Sequence, residues 1–378
     1  MAAYRAVTAL NLLTGKAILI IVCEVFFRRE PEATIMKNFH TVIVGGGPGG
    51  LACATLLARQ GKEVLLLERN SAIGPKVCAG GIPSVAQGLG FPETLWEKSF
   101  TSQHISSNWQ HAVIQDDSPI IRTVDRGRLG RWMTDRAVAA GVSIATNALV
   151  LKIGENRVHT RGGEEFGFSF LVGADGSGSL VRRQLGIPTE HMGVGINYQV
   201  QGNFPEMQWH LDTELFGNGY AWIFPHQDTA SIGVYARRST SKPNILLNRL
   251  HQWGARYNLE LKSRQPQAAL INSDFRGWRF RNRFLIGDAA GLASGLTGEG
   301  IYSAIVSGEE AARTILDAGY ESKKMTQLIK RHHQHARILE LASGGKLAGK
   351  LVLESLVFCL RTGLIPFRAL EMGIDQPS

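Results

Sequence analysis

Apolar positions follow three rhythms along this chain, and each predicts a different element. Residues 39–44 (FHTVIV) form a short apolar run that ends in glycines, the pattern of a strand buried on both faces. Small and apolar residues then fill 51–59 with helical spacing, and Gly61 stands where a glycine cap ends a helix. Residues 64–67 (VLLL) return to a buried strand, so the opening reads strand, helix, strand. Further on, 128–140 predicts a helix ending at Gly141, 142–153 holds strand-like runs, and 168–173 is a strand entering a glycine turn. From 193 to 233, turns of Gly, Asn and Pro separate strand-like segments rich in aromatics: Tyr198, Phe204, Trp209, Phe216, Tyr220, Trp222 and Phe224. That pattern predicts an antiparallel sheet. A short strand at 283–286, a helix over 298–316 and a basic helical region beyond Ser322 complete the chain. The fold class is α/β: a Rossmann-like part, an inserted antiparallel β-sheet and a C-terminal helical region.

The first 35 residues stand outside this pattern. Residues 17–27 (AILIIVCEVFF) are apolar, but Glu24 interrupts them and they are far short of the roughly 20 residues a membrane span needs. No small-residue cleavage site follows. Residues 1–35 read either as an upstream extension, with Met36 as the native start, or as a short membrane-facing anchor. The 378 residues suffice for one large or two moderate domains, without internal repeats or low-complexity linkers. A net charge of +9 favours anionic partners (membrane lipid, phosphorylated substrate or nucleic acid) unless it is only a solvated surface. Nucleic acid is set aside, because the basic residues gather near the C-terminus without a recognisable binding module. Cys23, Cys53, Cys78 and Cys359 are far apart and lack CxxC spacing, which argues against a disulfide framework or a metal site and for a reducing, cytoplasmic setting.

Three motifs carry the chemistry. In Gly45-Gly46-Gly47-Pro48-Gly49-Gly50, the residues Gly45, Gly47 and Gly50 match GxGxxG between a strand and a helix. The first glycine makes the tight turn, the second admits a pyrophosphate, the third packs helix on strand, and the helix N-terminus presents N–H groups to phosphate. Glu68, with Arg69 beside it, ends the next strand, where an acidic residue accepts ribose hydroxyls. The second motif is Val172-Gly173-Ala174-Asp175-Gly176. The third runs from Phe284 through Gly287-Asp288-Ala289-Ala290-Gly291 to Thr297-Gly298-Glu299-Gly300-Ile301. It delivers an aspartate able to hold a polyol hydroxyl, and a helix N-terminus able to stabilise negative charge on a reduced ring.

In this order the motifs resemble those of flavoproteins with the hydroxybenzoate-hydroxylase fold, and in particular the geranylgeranyl reductase family. Gly74-Pro75-Lys76-Val77-Cys78-Ala79-Gly80-Gly81-Ile82 is similar to that family's PxKxCGG segment, and Tyr220-Ala221-Trp222-Ile223-Phe224-Pro225 to its YxWxFP segment. The resemblance covers about residues 39–312. It implies a discontinuous FAD-binding domain (36–90, 120–188, 277–320), a substrate-binding sheet domain (91–119, 189–276) and a C-terminal helical region (321–378). It also implies FAD contacts at Gly49, Glu68, Cys78, Ala79, Gly81, Arg126, Val150, Asp288, Gly300 and Ile301. Arg126 would meet phosphate, Val150 would touch adenine through its backbone, and Cys78 would lie beside the flavin ring. Tyr220, Trp222 and Phe224 alternate along one strand, so they share a face. That face lines an apolar substrate channel in the family reading and plain core otherwise. Departures from the pattern are Ala79 for the commoner glycine, Gly295 where proline is frequent, which predicts a looser loop, and Gly291 where many hydroxylases have histidine.

The implied reaction is reduction of an isoprenoid carbon–carbon double bond by hydride from reduced flavin, with Cys78 as candidate proton donor and NADPH or a reduced ferredoxin-type protein as external reductant. A flavin monooxygenase, a redox-neutral cyclase and a quinone-reducing electron-transfer module are the rivals. Lys323, Lys324, Lys330, Arg331, Arg337, Lys346 and Lys350 precede the apolar stretch 351–360. This suits peripheral attachment to the inner face of a membrane, or a terminal helix pair that completes the core.

Overall fold

The computed structural model describes residues 7–9, 20–22, 37–239 and 242–373. Strands Val7–Ala9 and Ile20–Val22 pair antiparallel within a unit of their own. The rest of the 17–27 run, Cys23 and the Met36 start lie outside the described residues. Residues from Asn38 onward pack as one unit.

Its first layer is an eight-stranded mixed sheet. Lys37–Val44, Val64–Leu67 and Ser143–Ala145 run parallel, and Arg283–Leu285 runs parallel to Glu165–Gly173. The strands are uniformly apolar where helices cover them. Helix Pro48–Arg59 starts three residues earlier than the apolar spacing predicts, because Pro48 at its first position already has a helical φ. It crosses helix Ile301–Leu316 at glycines. A Cβ on Gly308 would lie 2.2 Å from the Gly49 carbonyl oxygen, and one on Gly49 would lie 2.7 Å from that of Ala304. Helix Ile301–Leu316 begins three residues later than predicted, since Gly298 has φ +69° and Gly300 is also non-helical.

The second layer is the expected sheet, of seven strands in the order Gln267–Asn272, Met192–Gln201, Thr229–Arg237, Tyr220–Pro225, Gln208–Leu211, Ser102–Ser107, His111–Gln115. One pair departs from the antiparallel expectation: Gln208–Leu211 runs parallel to Ser102–Ser107. A small helix, Thr213–Phe216, also interrupts the predicted strands, capped by Asp212. Period-2 alternation then divides the strand Tyr220–Pro225. Ala221 and Ile223 pack towards Leu246, Leu250 and Trp253 of helix Pro243–Arg256, whereas Tyr220, Trp222 and Phe224 form a separate aromatic cluster with Tyr235. A three-stranded antiparallel sheet pairs Ile121–Val124 with Gly81–Pro83, just after Cys78, and with Trp96–Phe100.

The basic C-terminal region is two helices, Lys323–Ala342 and Lys346–Arg361, parted at Gly344 and Gly345. Leu339, Val357 and Leu360 join Ile105 and Ala112 in a core cluster, so one face does complete the core. Glu354, inside the apolar stretch, accepts from the Ser107 hydroxyl at 2.6 Å and the Trp109 N–H at 3.1 Å. The opposite face leaves Leu347 70 % and Leu351 49 % exposed. Among the described residues, no helix is long and apolar enough to cross a membrane.

Candidate functional site

The glycine turn is shaped by what a side chain would strike. A Cβ on Gly45 would lie 2.3 Å from the Ala174 carbonyl oxygen, and one on Gly50 would lie 2.1 Å from that of Gly45. Both clashes are with backbone and cannot be relieved by a rotamer change. At Gly47 nothing lies within 4 Å, so this glycine faces open space. Glu68 is buried and braces the turn: its Oε2 accepts the Gly46 N–H at 2.8 Å and its Oε1 the Asn70 N–H at 2.9 Å. Gly45, Gly46, Gly47 and Glu68, with Arg69, Arg126, Val150 and Asp175, line a cavity of about 480 Å³, and Gly50 packs behind it. Arg69 is exposed. The Asp175 carboxylate accepts from the Ser179 hydroxyl at 2.5 Å and the Leu180 N–H at 2.6 Å, at the start of the next short helix. Burial pushes its carboxyl above the ordinary range, while those hydrogen bonds pull the other way.

Arg126 opens helix Arg126–Ala139. It lines this cavity and a second one, and its Nε is buried without a hydrogen-bond partner. The second cavity, about 180 Å³, brings together Cys78, Ala79, Gly81, Asp288, Gly300 and Ile301. Tyr220, Trp222 and Phe224 line the same cavity. Gly49 does not line either cavity; it is spent on the helix crossing. The Asp288 carboxylate accepts from Lys76 Nζ and from the Ser177 hydroxyl, each at 3.1 Å. Gly81 permits the aromatic wall to close, because a Cβ there would lie 2.7 Å from the Phe224 ring.

The wall is apolar but anchored by polar tips. Trp209 stacks against Tyr220 and Phe224 with centroids 5.0 and 4.9 Å away. The Tyr220 hydroxyl donates to the Thr297 carbonyl, and burial holds its pKa well above that of an ordinary tyrosine. Trp222 Nε1 donates to the Ser231 hydroxyl at 3.1 Å, which Asn197 also reaches at 2.9 Å. The loop around Gly295, predicted to be loose, is tied: the Ser294 hydroxyl oxygen accepts the Thr297 N–H at 3.0 Å and pairs with His335 at 2.8 Å.

Sequence reasoning missed part of this cavity. Glu299 lies inside a motif it had already singled out, and Trp209 among aromatics it had noted. Phe367, Leu370 and Glu371 also line the cavity, and no local pattern announced them.

An FAD binding domain model matches residues 38–337. A geranylgeranyl diphosphate reductase from Rhodobacter capsulatus is 30% identical over 309 residues, covering 75% of this chain and 77% of that one. The chain belongs to the geranylgeranyl reductase family of FAD-dependent oxidoreductases. A second member, digeranylgeranylglycerophospholipid reductase 1 from Methanopyrus kandleri, is 28% identical over 78% of this chain and 85% of its own. The fold matches a geranylgeranyl bacteriochlorophyll reductase-like protein from Thermoplasma acidophilum with TM-score 0.69 at 19% identity, over 87% of this chain and 97% of the other. It also matches a probable FAD-dependent monooxygenase from Pseudomonas aeruginosa with TM-score 0.57 at 18% identity, over 88% and 98%. This family's fold is therefore shared with oxygen-using enzymes, and the site has to distinguish them.

Proposed function

We propose that this reductase saturates carbon–carbon double bonds of an isoprenoid chain, such as a prenyl lipid, a quinone tail or a geranylgeranyl group. The observation that carries the reading is the aromatic wall of Tyr220, Trp222 and Phe224, which lines one cavity with Cys78, Asp288 and Gly300. FAD fits the cleft between Glu68 and Cys78. Gly47 leaves open space for a pyrophosphate, and the unpartnered Arg126 Nε has a hydrogen bond to give it. In this assignment Glu68 and Arg69 hold the ribose end, Val150 the adenine, Asp288 the polyol, and Ala79, Gly81, Gly300 and Ile301 the ring. Asp175 then acts as a brace and not as a ligand. Bound and reduced, FAD supplies a hydride.

The protein's own contribution is position and dryness. An isolated alkene offers no carbonyl to polarise, so alignment against the aromatic wall supplies much of the rate. Cys78 lines this cavity, beside the ring in this assignment. An external donor, NADPH or a reduced ferredoxin-type protein, approaches through an open cleft of about 890 Å³ lined by Lys76, Arg126 and Arg131. The exposed leucines of the last helix, with Lys346 and Arg361 beside them, support peripheral contact with an anionic membrane.

Mass spectrometry of lipid extracts from a heterologous host tests this, with the protein, without it, and with Cys78→Ala. Prenyl lipids gaining about two mass units per saturated bond, less so with Cys78→Ala, are the expected result. Unchanged lipids, with a yellow protein that consumes oxygen on addition of reduced pyridine nucleotide, would make it a monooxygenase instead.

A further inference from the structure

One carboxyl on the cavity wall has no part in the assignment above. Glu299 lies between Gly298 and Gly300, just ahead of helix Ile301–Leu316. Its Oε2 accepts the Met372 N–H at 2.9 Å. Its Oε1 is sealed from solvent and has no hydrogen-bond partner, although the residue as a whole keeps some surface. A charged oxygen in that position forfeits its hydration and gains nothing in return, whereas a protonated one is far less penalised.

The surrounding groups do little to change this balance. Arg331 is the cation that acts on Glu299 and favours its charged form. Tyr220, Cys78 and Glu371 line the same cavity, as do Lys76, Asp288 and Arg126. Lys76 is committed to Asp288. His335 sits behind the loop, bonded to Ser294, and burial keeps it neutral with a pKa of about 4. Burial therefore prevails at Glu299 and lifts its pKa to about 7, the range in which a carboxyl can both hold and release a proton at neutral pH.

We propose that Glu299 is the acid that protonates the alkene. The inference rests on the isoprenoid-reductase reading. The π bond breaks as a hydride from reduced FAD forms a C–H bond at one carbon. The Glu299 O–H bond breaks and its proton forms the second C–H bond at the other carbon. The alkene gains two electrons and two hydrogens, the flavin loses two electrons, and Glu299 is left as a carboxylate that regains its proton from water admitted to the cavity when product leaves. The external reductant then restores the flavin.

Glu299→Gln keeps the shape and an acceptor for the Met372 N–H, but has no proton to transfer. The test is a single turnover of FAD-loaded, pre-reduced protein with a short prenyl lipid, followed across the neutral pH range. Wild type should slow as pH rises through about 7. Glu299→Gln should be slower by at least ~100-fold and lose that pH dependence, with its flavin spectrum and FAD retention unchanged. Glu299→Asp should recover part of the rate. Isotope-edited infrared spectroscopy of the apoprotein should show a carboxyl that ionises near pH 7 in wild type and is missing from Glu299→Gln. An undiminished Glu299→Gln beside an active wild type, or no carboxyl ionising near neutrality, overturns this proposal alone. A wild type that saturates no prenyl chain overturns the functional reading and this proposal together.

Discussion

The two cavities that meet at Arg126 are built in opposite ways. The one beside Gly45–Gly50 is made by leaving side chains out, so that backbone approaches backbone and open space remains at Gly47. The one beside Cys78 is made by putting large side chains in, with Trp209, Tyr220, Trp222 and Phe224 in tilted and edge-to-face contact. The first kind of site is rigid in its demands, since at Gly45 and Gly50 a single methyl group has nowhere to go. The second can be retuned, because side chains repack more readily than backbone. Such a division lets a fold keep one cofactor while changing its substrate.

Substitutions at glycine test that contrast most severely. Gly50→Ala would drive a Cβ to 2.1 Å from the Gly45 carbonyl oxygen. We expect protein that fails to fold or loses FAD by more than ~100-fold in affinity, read from flavin absorbance after gel filtration. Gly47→Ala should fold with wild-type Tm, because nothing lies within 4 Å, yet retain less FAD. Equal thermal damage from both variants would break the comparison. On the other wall, Phe224→Ala should cost about 3 kcal/mol in denaturant unfolding and raise KM for a long prenyl chain, with FAD retention unchanged.

Acid should act behind the cavity. Burial lowers His332 and His335 to pKa values of about 4 from an ordinary 6.5. The unfolded chain then binds more protons than the native one in that window. The stability these neutral rings contribute is present above pH ~6.5 and is lost as pH falls towards ~4. His335→Gln should flatten that decline in chemical denaturation series. Glu299 has the opposite sign: its raised native pKa makes stability fall as pH rises between about 4.5 and 7, a decline that Glu299→Gln should remove. The smallest effect belongs to the surface. Leu351→Asp should leave Tm and flavin content within error while weakening sedimentation with anionic vesicles several-fold.

The same contrast explains what could be read from the sequence. Residues 64–67 were predicted as the strand Val64–Leu67 and observed with those bounds, because a buried parallel strand is a continuous apolar run. The glycine turn was legible because glycine spacing reports backbone geometry directly. Alternation along Tyr220–Pro225 correctly placed three aromatics on one face. Asp175 was harder, since the sequence did not announce that its carboxylate holds the Ser179 hydroxyl and the Leu180 N–H. Least legible was the contribution of Phe367, Leu370 and Glu371, which reach the cavity from a 3-10 turn with no periodic pattern. Tertiary packing alone brings them there. Glu299 showed the residue type but not its burial, and burial is what raises its pKa.

The distance along the chain between the two halves of the cofactor cleft sets a timetable. Gly45–Gly50 and Asp288 are separated by roughly 240 residues. At ~5–20 residues per second, a ribosome needs on the order of 10–50 s to make the second after the first. Throughout that interval the glycine turn exists without its partner wall, and Phe367–Leu370 comes later still. Full assembly of this cleft is thus a late event in biogenesis, since each chain must be made through Asp288 and Phe367–Leu370 before its walls can meet.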